Sequence, residues 1–485
     1  MSDAQAYTWR MKSLALAFLP FALLASASAA QAPGFSEAER RQGAEAHPQL
    51  LQQFGGAYQG PQADYVRRVG QKIALQSGYA ERGQDYTVTL LNSNANNAFA
   101  VPGGYVYITR QLLALMNNEA ELAFVMGHEV AHVAARHSQK RQNRSALSGL
   151  GAAILGAVTG SNIVGSIANA GAQVYTLGYS RGQETESDSL GVRYLARAGY
   201  DPMASTTILA ALGAQTSLEA RLAGQGDAST PTWLSTHPAS ADRVARVRRE
   251  AQALLPLAGA RVTNRDTFLD SINGMPYDDD VEQGIIEGSS FRHPGLKMAF
   301  VAPSGFVLQN SPEAVTGARG TQGRFQFSGG RPGNGESLSA YSARVWQASG
   351  VQNAPRVETR TINGIQMGLS TVRTRAGNAQ VDATLAVYSW ANDAWYQMLM
   401  IAPAGQDPGF SSLINSVRRL SAQEVAAIKG RRVTVVRVQA GDTVQSLANR
   451  MAYDDDRLAR FTILNGIEAN ARLVPGTRVK LITRG

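Results

Sequence analysis

Asn118-Glu119-Ala120-Glu121-Leu122-Ala123-Phe124-Val125-Met126-Gly127-His128-Glu129-Val130-Ala131-His132 is the stretch on which the reading of this chain turns. Asn118 is a residue type that caps helices, and Glu121, three positions on, can reach back to the cap. Leu122, Val125, Met126, Val130 and Val133 recur at helical spacing, so the spacing predicts one helix running through the whole stretch. On it His128 and His132 lie four apart and share a face, where two imidazoles can address the same cation. Glu129 stands beside that position. A carboxylate there can take a proton from a water acidified by the metal and pass it to a leaving amine. By the same geometry His137 falls far around the helix and reads as a helix-end or surface histidine.

A catalytic zinc usually takes three protein ligands and keeps a position for water, so another ligand must come from elsewhere. Glu184-Thr185-Glu186-Ser187-Asp188, continued by a helical run from Leu190 to Ala198, puts Glu184 and Asp188 on one helical face. Either that face is simply solvated, or Glu184 binds the metal while Asp188 accepts a hydrogen bond from a ligating histidine and fixes its tautomer.

Further motifs accompany these: Asn97-Ala98-Phe99-Ala100-Val101-Pro102-Gly103-Gly104, Ala198-Gly199-Tyr200-Asp201-Pro202, Gly191 after the acidic pair, and Thr236-His237-Pro238 followed by Arg243. Together they resemble the BepA/HtpX-like zinc metallopeptidases, HExxH gluzincins whose family includes the CAAX prenyl proteases, over roughly residues 35–251. The resemblance implies one Zn²⁺ per chain held by His128, His132 and Glu184, with Glu129 as general base and then general acid. It implies that Ala98, Phe99 and Ala100 form an edge strand that holds extended substrate by backbone hydrogen bonds. It also implies that His237 approaches the zinc, either completing a resting shell or polarising the substrate carbonyl, and that Arg243 joins it at the oxyanion. Pro238 can equally mark a helix start, which would leave His237 a residue preceding a helix. Two departures from the family pattern are Gln111, where glycine is frequent, and Ser187, where alanine is common.

Length and composition bound the rest. With 485 residues, two to four domains are expected, and 44% hydrophobic with 17% charged residues is the balance of a globular protein. Arg10 and Lys12 precede an apolar run from Leu14 to Leu24, and Ser28-Ala29-Ala30 supplies small residues for cleavage, the pattern of a secretory signal peptide over residues 1–30. A location in the periplasm, peripheral to the outer membrane or cell wall, follows as an expectation. There is no cysteine, which excludes disulfides, thiolate zinc ligands and a lipidated cysteine. The net charge of +9 suits anionic surroundings such as lipopolysaccharide or the wall. Basic residues are scattered without an aromatic platform, so nucleic acid is not an expected partner. Residues 146–178 are rich in small and apolar residues but broken by glycines, with no run of about 18 apolar residues for a membrane span. A plug over the cleft, a membrane-touching hairpin and ordinary packing all fit.

The fold class expected is multidomain α+β. A mainly helical zinc-peptidase domain with a small edge-strand sheet spans 31–255, and a polar linker containing Asp278-Asp279-Asp280 spans 256–288. A strand-rich α+β accessory domain at 289–425 shows no catalytic constellation and reads as a protein-binding or docking unit. Residues 433–483 resemble a βααβ LysM module, with Gly441, Asp442 and Thr443 in a turn that flanks the glycan site of such modules; a structural cap is the other reading. The function expected is a secreted zinc-dependent endopeptidase in quality control or assembly of outer-membrane and envelope proteins. Its partners would be protein or peptide substrates, outer-membrane assembly machinery and peptidoglycan. A LysM-targeted peptidoglycan peptide hydrolase and a chaperone-like assembly factor with secondary proteolysis are the alternatives.

Overall fold

The computed structural model describes residues 34–141, 178–222, 233–237, 241–256, 261–351, 353–376 and 379–485. The expected leader, and the small-residue segment apart from its last residue, lie outside the described residues. The described elements are mixed α and β and build several separate sheets.

The amino-terminal part runs α1 (Glu37–Gln53), α2 (Gln62–Ala74), β1 (Thr87–Leu91), β2 (Ala98–Val101), β3 (Tyr105–Thr109), α3 (Arg110–Leu115) and α4 (Glu119–Ala134). β1 pairs in parallel with β3, and β2 pairs antiparallel with the other side of β3, so Ala98–Val101 is an outer strand of its sheet. Ala98 and Ala100 face the main core, whereas Phe99 and Val101 pack with Leu50 and Tyr107 on the opposite side. Such alternation follows from the two-residue period of a strand.

Helix α4 begins as its sequence dictates. The Asn118 side chain accepts the Glu121 N–H at 2.9 Å, while the Glu121 carboxylate reaches one residue further back than a capping box would, accepting the Asn117 N–H at 2.6 Å. Every residue from Glu119 to His132 is buried, and a helix enclosed on all sides needs no single apolar stripe. Helix α5 (Arg181–Arg197) opens on a capping box between Ser180 and Gln183 and packs across α4. Gly191 permits the approach, since a Cβ there would stand 3.3 Å from the main-chain nitrogen of His128. The helices α6 (Ala204–Leu222), α7 (Trp233–Thr236) and α8 (Ala241–Leu254) complete this region.

Residues 256–288 differ from the expected linker. Helix α9 (Arg265–Ile272) buries Phe268, Leu269 and Ile272 in the core that also contains α2 and α4, and β4 (Pro276–Tyr277) pairs with β16 (Arg431–Arg437). The acidic run is held rather than solvated. Asp278 accepts from Gln111, Arg431 and Tyr453, Asp279 from Asn94 and the Ile286 N–H, and Asp280 from Asn92. Fully buried Arg110 donates to Asn92 and to the carbonyls of Pro276 and Asp278. A run of three aspartates reads as surface only until the fold supplies a buried cation and amides to receive it.

The strand-rich region contains β8 (Val307–Asn310), β9 (Ala314–Arg319), β10 (Gly323–Gly330), β11 (Glu358–Ile362), β12 (Ile365–Ala376), β13 (Ala379–Ala391) and β14 (Ala394–Pro403), which form an antiparallel sheet in the order β11-β12-β13-β14-β10-β9-β8. Helix α10 (Leu338–Ala348) covers one face through Tyr341 and Trp346, over Leu385 and Ile401. The other face packs Phe325 and Met398 against a smaller sheet carrying Phe291 and Phe300 and against α11 (Phe410–Ser416).

The carboxy-terminal unit is β16, α13 (Val444–Ala448), α14 (Arg457–Asn465) and β17 (Arg478–Arg484), with the two strands antiparallel. Its Val433, Leu447, Phe461, Leu481 and Ile482 belong to the same buried core as the HExxH helix. Lys480 is fully buried and donates to the carbonyls of Ala114, Leu115 and Met116, where α3 gives way to α4. Burial holds the Lys480 amine well below its usual range, only partly offset by the Glu121 charge, and its N–H groups satisfy carbonyls that the helix end leaves free. No described helix is long and apolar enough to cross a membrane.

Candidate metal centre and catalytic site

Helices α4 and α5 and the Trp233–His237 segment converge on one buried point. His128 Nε2 lies 3.0 Å from His132 Nε2 and 3.2 Å from His237 Nδ1. Glu184 Oε1 lies 2.8 Å from His237 Nδ1 and 3.5 Å from His132 Nε2, and Glu184 Oε2 is 3.6 Å from His128 Nε2. Around a tetrahedral zinc with Zn–N near 2.0–2.1 Å, ligand atoms stand about 3.3 Å apart, and the observed separations bracket that value. Three ring nitrogens and a carboxylate oxygen all within 4.8 Å of one another and almost free of water form a donor set that fits zinc.

The other side of each α4 imidazole is also engaged. His128 Nδ1 stands 3.1 Å from Asp188 Oδ1, the partner expected for a ligating histidine. Asp188 is fully buried and accepts from Arg243 Nε and Nη2 at 2.8 Å each and from Arg246 Nη2 at 2.7 Å. Burial opposes ionisation of Asp188, but the His128 and Arg243 hydrogen bonds and the Arg243 charge outweigh it and hold the carboxyl far below its usual range. Glu184 shows the same balance: burial pushes it up, and His237, His128 and Arg243 together bring it below its ordinary value. Burial, helped by the charges of His128, His237, His137 and Arg243, holds the His132 imidazole neutral. A neutral ring keeps the lone pair that a metal needs.

Arg243 packs against the carboxylates of the site. Besides its two bonds to Asp188 it donates Nη1 to the His237 carbonyl at 2.7 Å and lies 3.3 Å from Glu184 Oε2. Its guanidinium therefore braces the ligands, because a buried arginine is drawn to the nearest carboxylates. His237, by contrast, presents Nδ1 at the same point as the other three ligand atoms.

Three contributors escape a reading of the sequence. His137 is buried, not a surface residue: its Nδ1 is 3.0 Å from His132 Nδ1 and its Nε2 is 3.1 Å from Glu186. The helix stops at Ala134 and Arg136 takes a left-handed conformation, φ 55°, which swings His137 back under the site. Ser187, one departure from the family pattern, lies 3.4 Å from His137 Nδ1, and Gln111, the other, exchanges two hydrogen bonds with Asp278. Tyr179 stacks on His132 with ring centroids 3.8 Å apart. Trp233, one turn before His237, donates its indole N–H to Glu129 Oε1 at 2.8 Å. Its position four residues ahead of a candidate ligand was the available signal.

The site and the helix that carries it define a class: HExxH zinc metallopeptidases with a carboxylate ligand from a later helix. Residues 61–251 match peptidase family M48, whose members use zinc, and His128, His132, Glu184 and His237 all lie within that match. It is 29% identical over 202 residues to the beta-barrel assembly-enhancing protease of Escherichia coli (strain K12), covering 40% of this chain and 39% of that protein. The putative beta-barrel assembly-enhancing protease of Vibrio cholerae is 30% identical over 203 residues, with 40% of each chain covered. The mitochondrial metalloendopeptidase OMA1 of Arabidopsis thaliana is 34% identical over 164 residues, covering 33% of this chain and 30% of the relative. The match thus spans about two fifths of the bacterial relatives' length.

Proposed function

We propose that this protein is a periplasmic zinc endopeptidase that cleaves misassembled or assembling outer-membrane and envelope proteins. One observation carries the reading: four buried donor atoms from His128, His132, Glu184 and His237 converge beside a glutamate, Glu129, whose Oε2 has no hydrogen-bond partner among the described residues. When bound, zinc supplies Lewis-acid polarisation of the scissile carbonyl and acidifies the attacking water. Glu129 takes the proton from that water and returns it to the leaving amine. His237 would complete the resting donor set or polarise the substrate carbonyl. The Ala98–Val101 strand, at the edge of its sheet, lines up an extended polypeptide by backbone pairing through Ala98, Phe99 and Ala100.

The names of the bacterial relatives support substrates from outer-membrane barrel assembly, and assembly machinery as a partner. The turn at Gly441, Asp442 and Thr443 lies beside the 474–476 turn, where Val474 is 65% exposed, and the Gly476 N–H bonds the Val438 carbonyl. That open rim suits peptidoglycan binding by a LysM-like unit, which would place the peptidase at the wall. The test is a substrate trap. Glu129→Gln protein crosslinked in cells should retain envelope polypeptides that wild type cleaves, and purified wild type should cut an unfolded envelope protein in a zinc-dependent way. Capture of glycan fragments without polypeptide would replace this reading with that of a wall hydrolase.

A further inference from the structure

The two oxygens of Glu129 have different surroundings. Oε1 accepts the indole N–H of Trp233 at 2.8 Å, whereas Oε2 is buried and has no hydrogen-bond partner among the described residues. A carboxylate turns easily about its last torsion, which is broad and nearly two-fold, so an unrestrained Glu129 would divide its time among orientations. We propose that Trp233 is a positioning residue for the general base: its N–H pins Oε1 and so presents Oε2 to the attacking water and then to the leaving amine. This rests on the endopeptidase reading of Glu129.

Trp233 is itself well fixed. It is fully buried, its main-chain N–H donates to the Asn96 carbonyl at 2.7 Å, and its own carbonyl accepts the His237 N–H at 2.8 Å. Its ring stacks on that of His237 at 4.9 Å and 24°, and the Arg243 guanidinium lies 5.1 Å from the ring centroid. Asn96 is tied in turn to Glu219 of α6 at 2.8 Å. A line of hydrogen bonds therefore runs from α6 through Asn96 and Trp233 to Oε1 of Glu129, the oxygen opposite the one that carries the proton. Pre-set geometry of this kind lowers the barrier without adding to substrate binding, because its benefit is realised at the reacting atoms.

Trp233→Phe keeps an aromatic ring for the stack and removes the donor. The expected result on a fluorogenic peptide that wild type cleaves and Glu129→Gln does not is a fall in kcat of roughly 10- to 100-fold with KM within about two-fold. Zinc stoichiometry should stay at the wild-type value. A merely structural tryptophan would lower Tm and zinc content and leave the kcat of the folded, loaded fraction unchanged. Where phenylalanine disturbs the packing, benzothienylalanine at position 233 keeps the indole's shape with sulfur in place of N–H, and the same loss of kcat is expected. The wild-type and Glu129→Gln controls test the underlying reading separately. Unchanged or raised kcat in the zinc-loaded variants would overturn the proposal, a rise meaning that Trp233 restrains Glu129 instead of aiming it.

Discussion

Asp188→Asn probes how far the zinc ligands depend on the charge behind them. Asp188 has no solvent exposure and receives three guanidinium bonds of 2.7–2.8 Å while facing His128 Nδ1 at 3.1 Å. Asparagine keeps one acceptor but turns an NH₂ group toward donors, leaving Arg243 buried without its full countercharge. Breaking a buried pair in this way costs about 3–5 kcal/mol. At about 2–4 °C per kcal/mol for a region of this size, Tm should fall by roughly 6–20 °C. The metal site should suffer separately: loss of a carboxylate behind a ligating histidine typically lowers metal affinity about 10- to 100-fold, or about 1.4–2.8 kcal/mol. Differential scanning fluorimetry reads the first quantity, and competition for zinc against a chelator of known affinity reads the second. Arg246→Ala should be milder than Arg243→Ala in both, since the Arg246 side chain is 26% exposed and that of Arg243 only 4%. An Asp188→Asn protein that binds zinc as tightly as wild type and melts within about 2 °C of it would refute the idea that this carboxylate orients His128.

Lys480→Met removes the buried amine that donates to the carbonyls of Ala114, Leu115 and Met116, and should cost about 3 kcal/mol while leaving a single unfolding transition, because the carboxy-terminal unit shares its core with α4; two separate transitions in calorimetry would contradict the shared core. Burial, with the Asp278 charge beside it, pushes Asp279 up to about 6, above the roughly 3.9 of an unfolded aspartate. The folded state therefore binds this proton more tightly, and the group favours folding increasingly as pH drops from about 6 toward 4. Urea unfolding should show wild type gaining about 1 kcal/mol relative to Asp279→Asn between pH 8 and pH 5, and an equal response of both proteins would exclude the effect. His137→Ala should weaken zinc binding by about 10-fold by freeing the far side of His132, measured by the same chelator competition.

What the sequence disclosed follows from how local each feature is. The cap at Asn118, the helical stripe and the four-residue spacing of His128 and His132 are local, and the helix forms where they place it. Glu184 and Asp188 were legible as a pair on one face, but that the face is buried depends on the close approach at Gly191. His137 was misplaced because its position depends on one left-handed residue, Arg136, that ends the helix early. The polar 256–288 segment looked like a linker since its aspartates find their donors, Arg110, Gln111 and Arg431, at great sequence distance. Arg243 was legible as part of a motif, yet its direction depends on which carboxylates the folded chain sets beside it.

The central claim is a single zinc held by His128, His132 and Glu184 with Glu129 as proton carrier. It is tested most directly by elemental analysis of gently purified wild type, Glu129→Gln and Glu184→Ala, read beside peptide-bond cleavage by the same samples. The account predicts one zinc per chain in the first two, little in the third, and cleavage by wild type alone. Wild-type protein that takes up no zinc, or Glu129→Gln that cleaves at the wild-type rate, would contradict it.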